Sequence, residues 1–210
     1  PAALVAQIRR AAAKMLGVVV EDFQFKAGQL ETIVASVSGL DTLSMLPTGG
    51  GKTLCWLVPA AVLQFVVANV LGDPKIALVF CPLTELILQH VATTNMCLGV
   101  GSAEHTPFSK QGPVARSEGA PAAAADEGRS TVVAFAPFDP RAGTTWARWL
   151  ASKTLRVVYA TPEYFLCSPL FRRFVQELMR RDRLSRFVWD EAHTVSQWGH
   201  DFRPALLKLE

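Results

Sequence analysis

The chain has 210 residues, of which 50% are apolar and 19% are charged, and its formal net charge is +3. This length suffices for one independently folding domain with a sizeable core, and the apolar content is ordinary for a globular protein. The net charge is too small to establish a polyanionic partner by itself.

The cysteines and the amino-terminal residues indicate the cellular compartment of the protein. The four cysteines form no C-x-x-C pair and have no histidine at metal-ligand spacing; they are Cys55, Cys81, Cys97 and Cys167. This spacing predicts neither a disulfide framework nor a zinc site, and it favours a reducing, intracellular compartment. Arg9, Arg10 and Lys14 interrupt any apolar stretch that could act as a signal peptide.

The first third of the chain predicts helices around one short strand. Residues 2–16 place apolar side chains on one side and basic ones elsewhere, which predicts an amphipathic helix. A second helix is predicted from Gln29 to Val37 and a strand from Leu43 to Leu46. Residues 53–72 carry no charge. We predict that they form a helix buried beneath a sheet, not a membrane span, and that Pro59 ends one helical stretch and begins the next.

The rest of the chain predicts alternating strands and helices. Lys75 to Cys81 reads as a buried strand of the parallel type, followed by a helix from Leu83 to Met96. Residues 99–130 are rich in Gly, Ser, Ala and Pro and are predicted to be a mobile insertion. The remaining predicted strands are Thr131–Phe135, Leu155–Ala160 and Phe187–Trp189, and the remaining predicted helices are Thr144–Ser152 and Leu170–Arg181. Strands that alternate with helices predict an α/β fold with a mostly parallel sheet.

Two side-chain patterns are interpreted as structural. Trp146 and Trp149 lie three residues apart on one helix face, which favours core packing over base stacking. The arginines of the last predicted helix and just beyond it are interpreted as a solvated face, not as a phosphate-binding surface. They are Arg172, Arg173, Arg180, Arg181, Arg183 and Arg186.

A glycine-rich stretch carries the main chemical signal. Leu46-Pro47-Thr48-Gly49-Gly50-Gly51-Lys52-Thr53 lies between the predicted strand and the apolar helix. The backbone N–H groups of such a loop cradle phosphate, because the free amides and the dipole of a helix N-terminus favour anions. Lys52 would reach the outer phosphates and the Thr53 hydroxyl would hold Mg²⁺. Leu46 stands where the strict pattern has glycine, and the alternative interpretation is a glycine-rich surface turn.

An acidic pair follows the last predicted strand. Asp190 and Glu191 fall at a strand end, as the glycine-rich loop does, and ligands of parallel sheets bind at that edge. Hydrolysis of a nucleoside triphosphate requires neutralised charge, a held metal and an aligned water. Asp190 would fix Mg²⁺ with Thr53, and Glu191 would orient and deprotonate the water. An isolated Asp-Glu pair is more simply a helix cap, but downstream of a phosphate loop it predicts hydrolysis.

Several segments, in order along the chain, resemble one family. Residues 190–204, which begin Asp-Glu-Ala-His, closely resemble the RecQ family of superfamily 2 DNA helicases, and residues 47–60 look like its motif I. Residues 25–29 resemble its adenine-reading motif 0, while residues 81–83 and 159–163 are similar to its motifs Ia and Ib. The resemblance implies a RecA-like P-loop NTPase fold that uses ATP and Mg²⁺.

The resemblance also implies individual roles. Gln29 would read the adenine edge, Lys26 would pack against the base, and Phe23 is the nearest candidate for an aromatic that stacks on adenine. Thr48 would join the loop glycines and lysine around the phosphates, and His193 would link the nucleotide site to the DNA-engaged state. The implied sensors of single-stranded DNA are Gln197, Trp198, His200, Phe202 and Arg203. Aromatic and guanidinium planes stack on unpaired bases with about 1–3 kcal/mol each.

The resemblance implies a motor domain of a larger protein. Residues 1–210 would form the first RecA-like domain, and a second one with an arginine finger would be missing, so we expect a fragment that binds ATP but hydrolyses it slowly. The intact protein would couple binding of single-stranded or partly duplex DNA to 3′-to-5′ translocation, in the nucleus if it is eukaryotic. One alternative is an RNA helicase of the DEAD or DEAH type, which residues 197–202 disfavour. The other is a degenerate helicase remnant that only binds ligands, against which the intact loop and acidic pair argue.

Overall fold

The computed structural model describes residues 2–47, 49–67, 73–98, 134–137 and 146–193. Within these ranges the chain forms seven helices and four strands. In chain order they are α1 (Ala2–Leu16), α2 (Gln29–Val37), α3 (Leu54–Val67), β1 (Ile76–Phe80), α4 (Thr84–Leu98), β2 (Ala134–Phe135), α5 (Trp146–Ala151), β3 (Val157–Ala160), α6 (Pro162–Cys167), α7 (Pro169–Arg180) and β4 (Leu184–Trp189). The predicted insertion at 99–130 lies outside the described residues.

The strands form one parallel sheet, in the order β2-β3-β1-β4. In the central strand, Val79 pairs with Tyr159 of β3 on one side and with Val188 of β4 on the other. All strands point the same way, so the residues that follow β1, β3 and β4 meet at one edge. The predicted α/β fold with a parallel sheet is confirmed.

Helices cover both faces of the sheet. Ile76, Leu78 and Phe80 of β1 belong to the core cluster shared with α5 and α7, whereas Val79 and Cys81 belong to the cluster shared with α1, α2, α3 and α4. Successive side chains of a strand alternate between faces, so an uninterrupted apolar run is what a doubly covered strand requires. The predicted amphipathic helix at 2–16 is α1, whose buried face includes Ile8 and Met15.

Helix α3 differs from its prediction at Pro59. It runs from Leu54 to Val67 without a break, with Pro59 inside it. A proline removes one backbone hydrogen bond, which ordinarily kinks or ends a helix. Here the residues on either side, Val58 and Ala60, are buried in the core, and this packing outweighs the lost bond. Within the described residues, no helix has the length and apolar character needed to span a bilayer.

The predicted strand from Leu43 to Leu46 is wrong. This segment has no regular structure, and Leu43 and Met45 are 81% and 88% exposed. A cleft of about 1160 Å³ lies between residues 39–46 and β4, which is the last strand in the described sheet. A strand forms only where a neighbour accepts its hydrogen bonds, and this cleft separates the segment from β4.

Helix α6 was absent from the sequence prediction, although its signals are present. The Thr161 side chain accepts a hydrogen bond from the Tyr164 amide at 3.1 Å, and Pro162 occupies the first helical position. A threonine cap followed by proline is typical of a helix N-terminus. The core interpretation of Trp146 and Trp149 is confirmed, since both pack in the cluster beneath α7.

The arginines around the end of α7 do not all form a solvated face. Arg180 and Arg181 are exposed and pair with Glu177, as the prediction requires. Arg183, however, is only 1% exposed. Its guanidinium donates to three backbone carbonyls, those of Pro74 at 3.2 Å, Ser152 at 2.8 Å and Leu150. Charge counting along a helix could not reveal this, because the three acceptors come from distant parts of the chain.

Candidate nucleotide-binding site

The glycine-rich loop turns tightly before α3. The Gly50 amide donates to the Pro47 carbonyl at 2.9 Å, and a Cβ on Gly50 would lie 2.8 Å from that oxygen. Gly51 has φ of 75°, a left-handed conformation that favours glycine. The helix then begins at Leu54, whose amide donates to the Gly51 carbonyl at 3.1 Å. Thr48 lies outside the described residues.

Gln29 is hydrogen-bonded to this loop. Its side chain is buried, and its Nε2 donates to the carbonyls of Gly50 at 3.0 Å and Gly51 at 3.1 Å. Its Oε1 accepts from the Lys26 amide at 2.8 Å, while the Lys26 ammonium donates to the Gly49 carbonyl at 2.6 Å. The segment that the sequence assigned to adenine thus lies directly against the loop assigned to phosphate.

Phe23 does not lie free beside this segment. It is buried, and its ring packs edge-on against Phe25 with centroids 4.7 Å apart. Both rings pack with the core cluster of α1 to α4. Phe23 is therefore a core residue in this structure.

Lys52 and Glu191 approach each other across the edge of the sheet. Lys52 Nζ lies 3.6 Å from Glu191 Oε1, and His193 Nδ1 lies 3.2 Å from Glu191 Oε2. Glu191 has φ of 54°, which is rare for a residue with a side chain. Such strain is common at functional sites, where the surrounding structure holds it. All three side chains line the cleft next to β4.

Asp190, the residue before Glu191, is buried. Its amide donates to the Phe80 carbonyl at 2.9 Å, and its Oδ1 accepts from the Glu191 amide at 3.0 Å. Its Oδ2 lies 3.6 Å from Cys81 Sγ and 3.4 Å from His90 Nε2. Burial, followed by the Asp190 charge, raises the pKa of the Cys81 thiol well above its usual range.

The sequence analysis did not predict that Cys81 and His90 lie beside Asp190. Cys81 follows β1 and His90 lies on α4, so only the fold brings them to Asp190. The signal available in the sequence was that Cys81 and Asp190 each directly follow an apolar strand. In a parallel sheet this predicts a shared edge.

A buried aromatic group holds the His90 ring. The ring stacks on Tyr159 with centroids 5.7 Å apart, and it meets Trp56 edge-on at 5.8 Å. The Tyr159 hydroxyl is hydrogen-bonded to Thr94 at 2.8 Å and accepts from the Trp56 indole at 3.3 Å. Burial raises the pKa of Tyr159, so this phenol stays protonated at neutral pH.

The structure thus brings together much of what the sequence predicted. Lys26 and Gln29 are hydrogen-bonded to carbonyls of the glycine-rich loop, and Lys52 of that loop faces Glu191 of the acidic pair. The Lys52 ammonium and the carboxylates of Asp190 and Glu191 are charged groups of the kind that binding and hydrolysis of a phosphate anhydride need, and the cleft leaves room for such a ligand. The candidate DNA-sensing residues lie outside the described residues. They are Gln197, Trp198, His200, Phe202 and Arg203.

The comparisons with known proteins find similarity to helicases. Residues 26–114 match the family model described as DEAD/DEAH box helicase, a stretch that includes the glycine-rich loop. The chain is 31% identical over 186 residues to the RecQ-like DNA helicase BLM of Xenopus laevis and 32% identical over 186 residues to the RecQ-like DNA helicase blm-1 of Caenorhabditis elegans. It is also 30% identical over 189 residues to the ATP-dependent helicase SGS1 of Saccharomyces cerevisiae. By sequence, the chain is a relative of the RecQ-like DNA helicases.

These matches cover most of this chain but a small part of each relative. They span 89% of this chain in all three cases, but 11% of the Xenopus protein, 15% of the Caenorhabditis protein and 10% of the yeast protein.

Proposed function

We propose that this chain is the ATP-binding domain of a RecQ-like DNA helicase motor. It would be a RecA-like domain over residues 1–210, with an insertion at about 99–130. The parallel α/β sheet, the DEAD/DEAH box match and the names of the relatives support this. The observation that carries it is the 3.6 Å approach of Lys52 Nζ to Glu191 Oε1, because it places the glycine-rich loop and the acidic pair in one cleft.

The proposed chemistry uses the groups that line this cleft. Thr48 and residues 49–52 would bind the ATP phosphates through backbone amides and the Lys52 ammonium. The Thr53 hydroxyl and the Asp190 carboxylate are hard oxygen donors of the kind that Mg²⁺ prefers, and Mg²⁺ would neutralise phosphate charge. Glu191 would accept the proton of the attacking water.

Three further residues would support this chemistry. His193 lies 3.2 Å from Glu191, so it would orient that carboxylate and link it to the segment that follows. Lys26 would pack against the adenine and Gln29 would read its edge. Gln29 Nε2 already donates to two loop carbonyls, so donation from this nitrogen to the base would require the exchange of one of those bonds.

The proposed partners are DNA and a second RecA-like domain. Single-stranded or partly duplex DNA would cross the carboxyl ends of the strands, beside residues 197–203. The second domain, elsewhere in the full-length protein, would close the cleft over ATP and provide an arginine finger. Hydrolysis between the two domains would then drive 3′-to-5′ translocation.

Substitution of Glu191 tests the catalytic proposal. In the full-length protein, Glu191→Gln should bind ATP with wild-type affinity but hydrolyse it about 10²–10⁴-fold more slowly, the usual contribution of a general base. Glu21→Gln, an exposed change away from the cleft, is the matched control and should retain wild-type hydrolysis. Normal turnover by Glu191→Gln would refute the assigned base.

An assay of ATP hydrolysis with added DNA or RNA distinguishes two alternative functions. An RNA helicase of the DEAD or DEAH type would show hydrolysis stimulated by RNA and not by single-stranded DNA. A degenerate remnant would bind ATP without measurable hydrolysis, even with DNA present. The names of the relatives favour DNA, and the intact pairing of Lys52 with Glu191 favours an enzyme.

A further inference from the structure

Three potential metal ligands meet behind the acidic pair. They come from three elements: Cys81 follows β1, His90 lies on α4 and Asp190 follows β4. The Cys81 Sγ, one His90 ring nitrogen and an Asp190 carboxylate oxygen all lie within 4.8 Å of one another. Cys81 and Asp190 are buried and His90 is half-buried, so this is not a surface cluster of acids.

Two of the three separations among these atoms match a tetrahedral metal site. For bonds of about 2.3 Å to sulfur, 2.1 Å to oxygen and 2.0 Å to nitrogen, tetrahedral angles place sulfur about 3.6 Å and nitrogen about 3.4 Å from the oxygen. In the structure, Asp190 Oδ2 lies 3.6 Å from Cys81 Sγ and 3.4 Å from His90 Nε2. The third separation, between Cys81 Sγ and the His90 ring nitrogen, is at most 4.8 Å, against about 3.5 Å for the same tetrahedral bonds, so only this pair would have to adjust.

We propose that Cys81, His90 and Asp190 form a three-ligand site for Zn²⁺ or a divalent ion of similar softness. A thiolate with an imidazole selects such ions over Mg²⁺, which prefers oxygen donors. On binding, the Cys81 thiol loses its proton to solvent and its sulfur bonds the metal. The fourth position is left for water from the cleft that Asp190 also lines.

The surroundings hold all three ligands in place. Stacking on Tyr159 and edge contact with Trp56 orient the His90 ring. The backbone amides of Cys81 and Asp190 donate to neighbouring strands, at 3.1 Å and 2.9 Å. Such support is what a preorganised metal site requires, because ligand orientation is then not lost on binding.

The consequence for activity rests on the proposed function. The Asp190 oxygen that would bind Zn²⁺ belongs to the carboxylate assigned to Mg²⁺. Occupancy by Zn²⁺ would therefore withdraw Asp190 from the nucleotide site and lower ATP hydrolysis. Binding itself does not depend on that function and can be measured without nucleotide.

Cobalt binding tests the site directly. Titration of the chain with Co²⁺ should produce the near-ultraviolet absorption of a thiolate–cobalt bond at one equivalent, and Zn²⁺ should abolish it. Cys81→Ser and His90→Gln should remove this band or weaken Co²⁺ binding at least 10–100-fold. Substitution of residues that only hydrogen-bond to metal ligands already weakens metal binding by this factor. Cys167→Ser, at an exposed cysteine, is the control and should keep the band. A band that survives Cys81→Ser, or disappears in Cys167→Ser, would overturn the proposal.

A second measurement requires no variant. X-ray absorption of the wild-type Zn²⁺ complex should show one sulfur and otherwise nitrogen or oxygen neighbours; a shell without sulfur would refute the site. Circular dichroism of the metal-free variants verifies that they are folded. In the full-length protein with DNA present, zinc binding without ATP hydrolysis would refute only the proposed function, whereas hydrolysis without zinc binding would refute only the metal site.

Discussion

The side-chain amide of Gln29 donates to the Gly51 carbonyl at 3.1 Å and so fastens the start of α2 to the glycine-rich loop. The Gly50 carbonyl accepts from the same nitrogen at 3.0 Å. Gln29→Glu would place a carboxylate oxygen against these two carbonyl oxygens. Acceptors would then face acceptors in a buried position, and we expect a loss of about 2 kcal/mol or more in the free energy of unfolding.

Urea denaturation measures that loss. Gln24→Glu makes the same chemical change at an exposed position five residues earlier and should shift the midpoint little. Equal midpoints for the two variants would show that the Gln29 hydrogen bonds do not stabilise the fold.

Gly51 is predicted to be intolerant of a side chain for two separable reasons. Its φ is 75°, and an added Cβ would lie 2.4 Å from Gln29 Nε2. Gly39 has a similar φ of 80° but nothing within 4 Å of such a Cβ, so Gly39→Ala isolates the backbone strain. We expect Gly39→Ala to lose about 1–2 kcal/mol and Gly51→Ala to lose clearly more.

Nucleotide binding should separate the same two variants. Calorimetric titration with a non-hydrolysable ATP analogue should show weakened binding for Gly51→Ala alone, since only that Cβ displaces Gln29 and the loop. Equal affinities would indicate that the loop adopts another conformation when nucleotide binds.

Glu191 is predicted to be strained. Its φ of 54° costs a residue with a side chain about 1–3 kcal/mol, and glycine avoids most of this cost. Glu191→Gly should therefore be at least as stable as Glu191→Ala in thermal unfolding. At Gln176, an exposed position inside α7, the order should be reversed, because glycine costs about 1 kcal/mol relative to alanine in a helix. The same order at both positions would argue against strain at Glu191.

Arg183 is predicted to be a stabilising residue. Arg183→Met would keep the apolar stem but leave three carbonyls without their donor, those of Pro74, Leu150 and Ser152. Hydrogen bonds to a charged group contribute about 1.5–3 kcal/mol each, so we expect a loss of at least 3 kcal/mol. Arg173→Met, at an exposed position of α7, should change the free energy of unfolding by less than about 0.5 kcal/mol. Similar values for both would mean that Arg183 does not hold β4 to its neighbours.

The sequence predicted the elements whose signals are local. The uninterrupted apolar run of β1 and the one-sided apolar pattern of α1 are periodic, and both elements lie within two residues of their predicted bounds. The segment from Leu43 to Leu46 is also mostly apolar, but a strand requires a partner. The predicted strand does not form because β4 lies across a cleft from this segment, and an apolar pattern carries no information about such a partner.

For the site, the sequence alone determined which residues carry chemistry. Glycines followed by lysine and threonine, and an acidic pair after a strand, indicate phosphate and water chemistry through residue type and spacing along the chain. The resemblance to RecQ helicases follows from the same local order. The tertiary structure decided the individual contacts at the sheet edge: Lys52 with Glu191, Gln29 with Gly51, and Asp190 with Cys81 and His90. The physical reason is that a parallel sheet gathers strand ends from distant parts of the chain at one edge, and sequence distance carries no record of that edge.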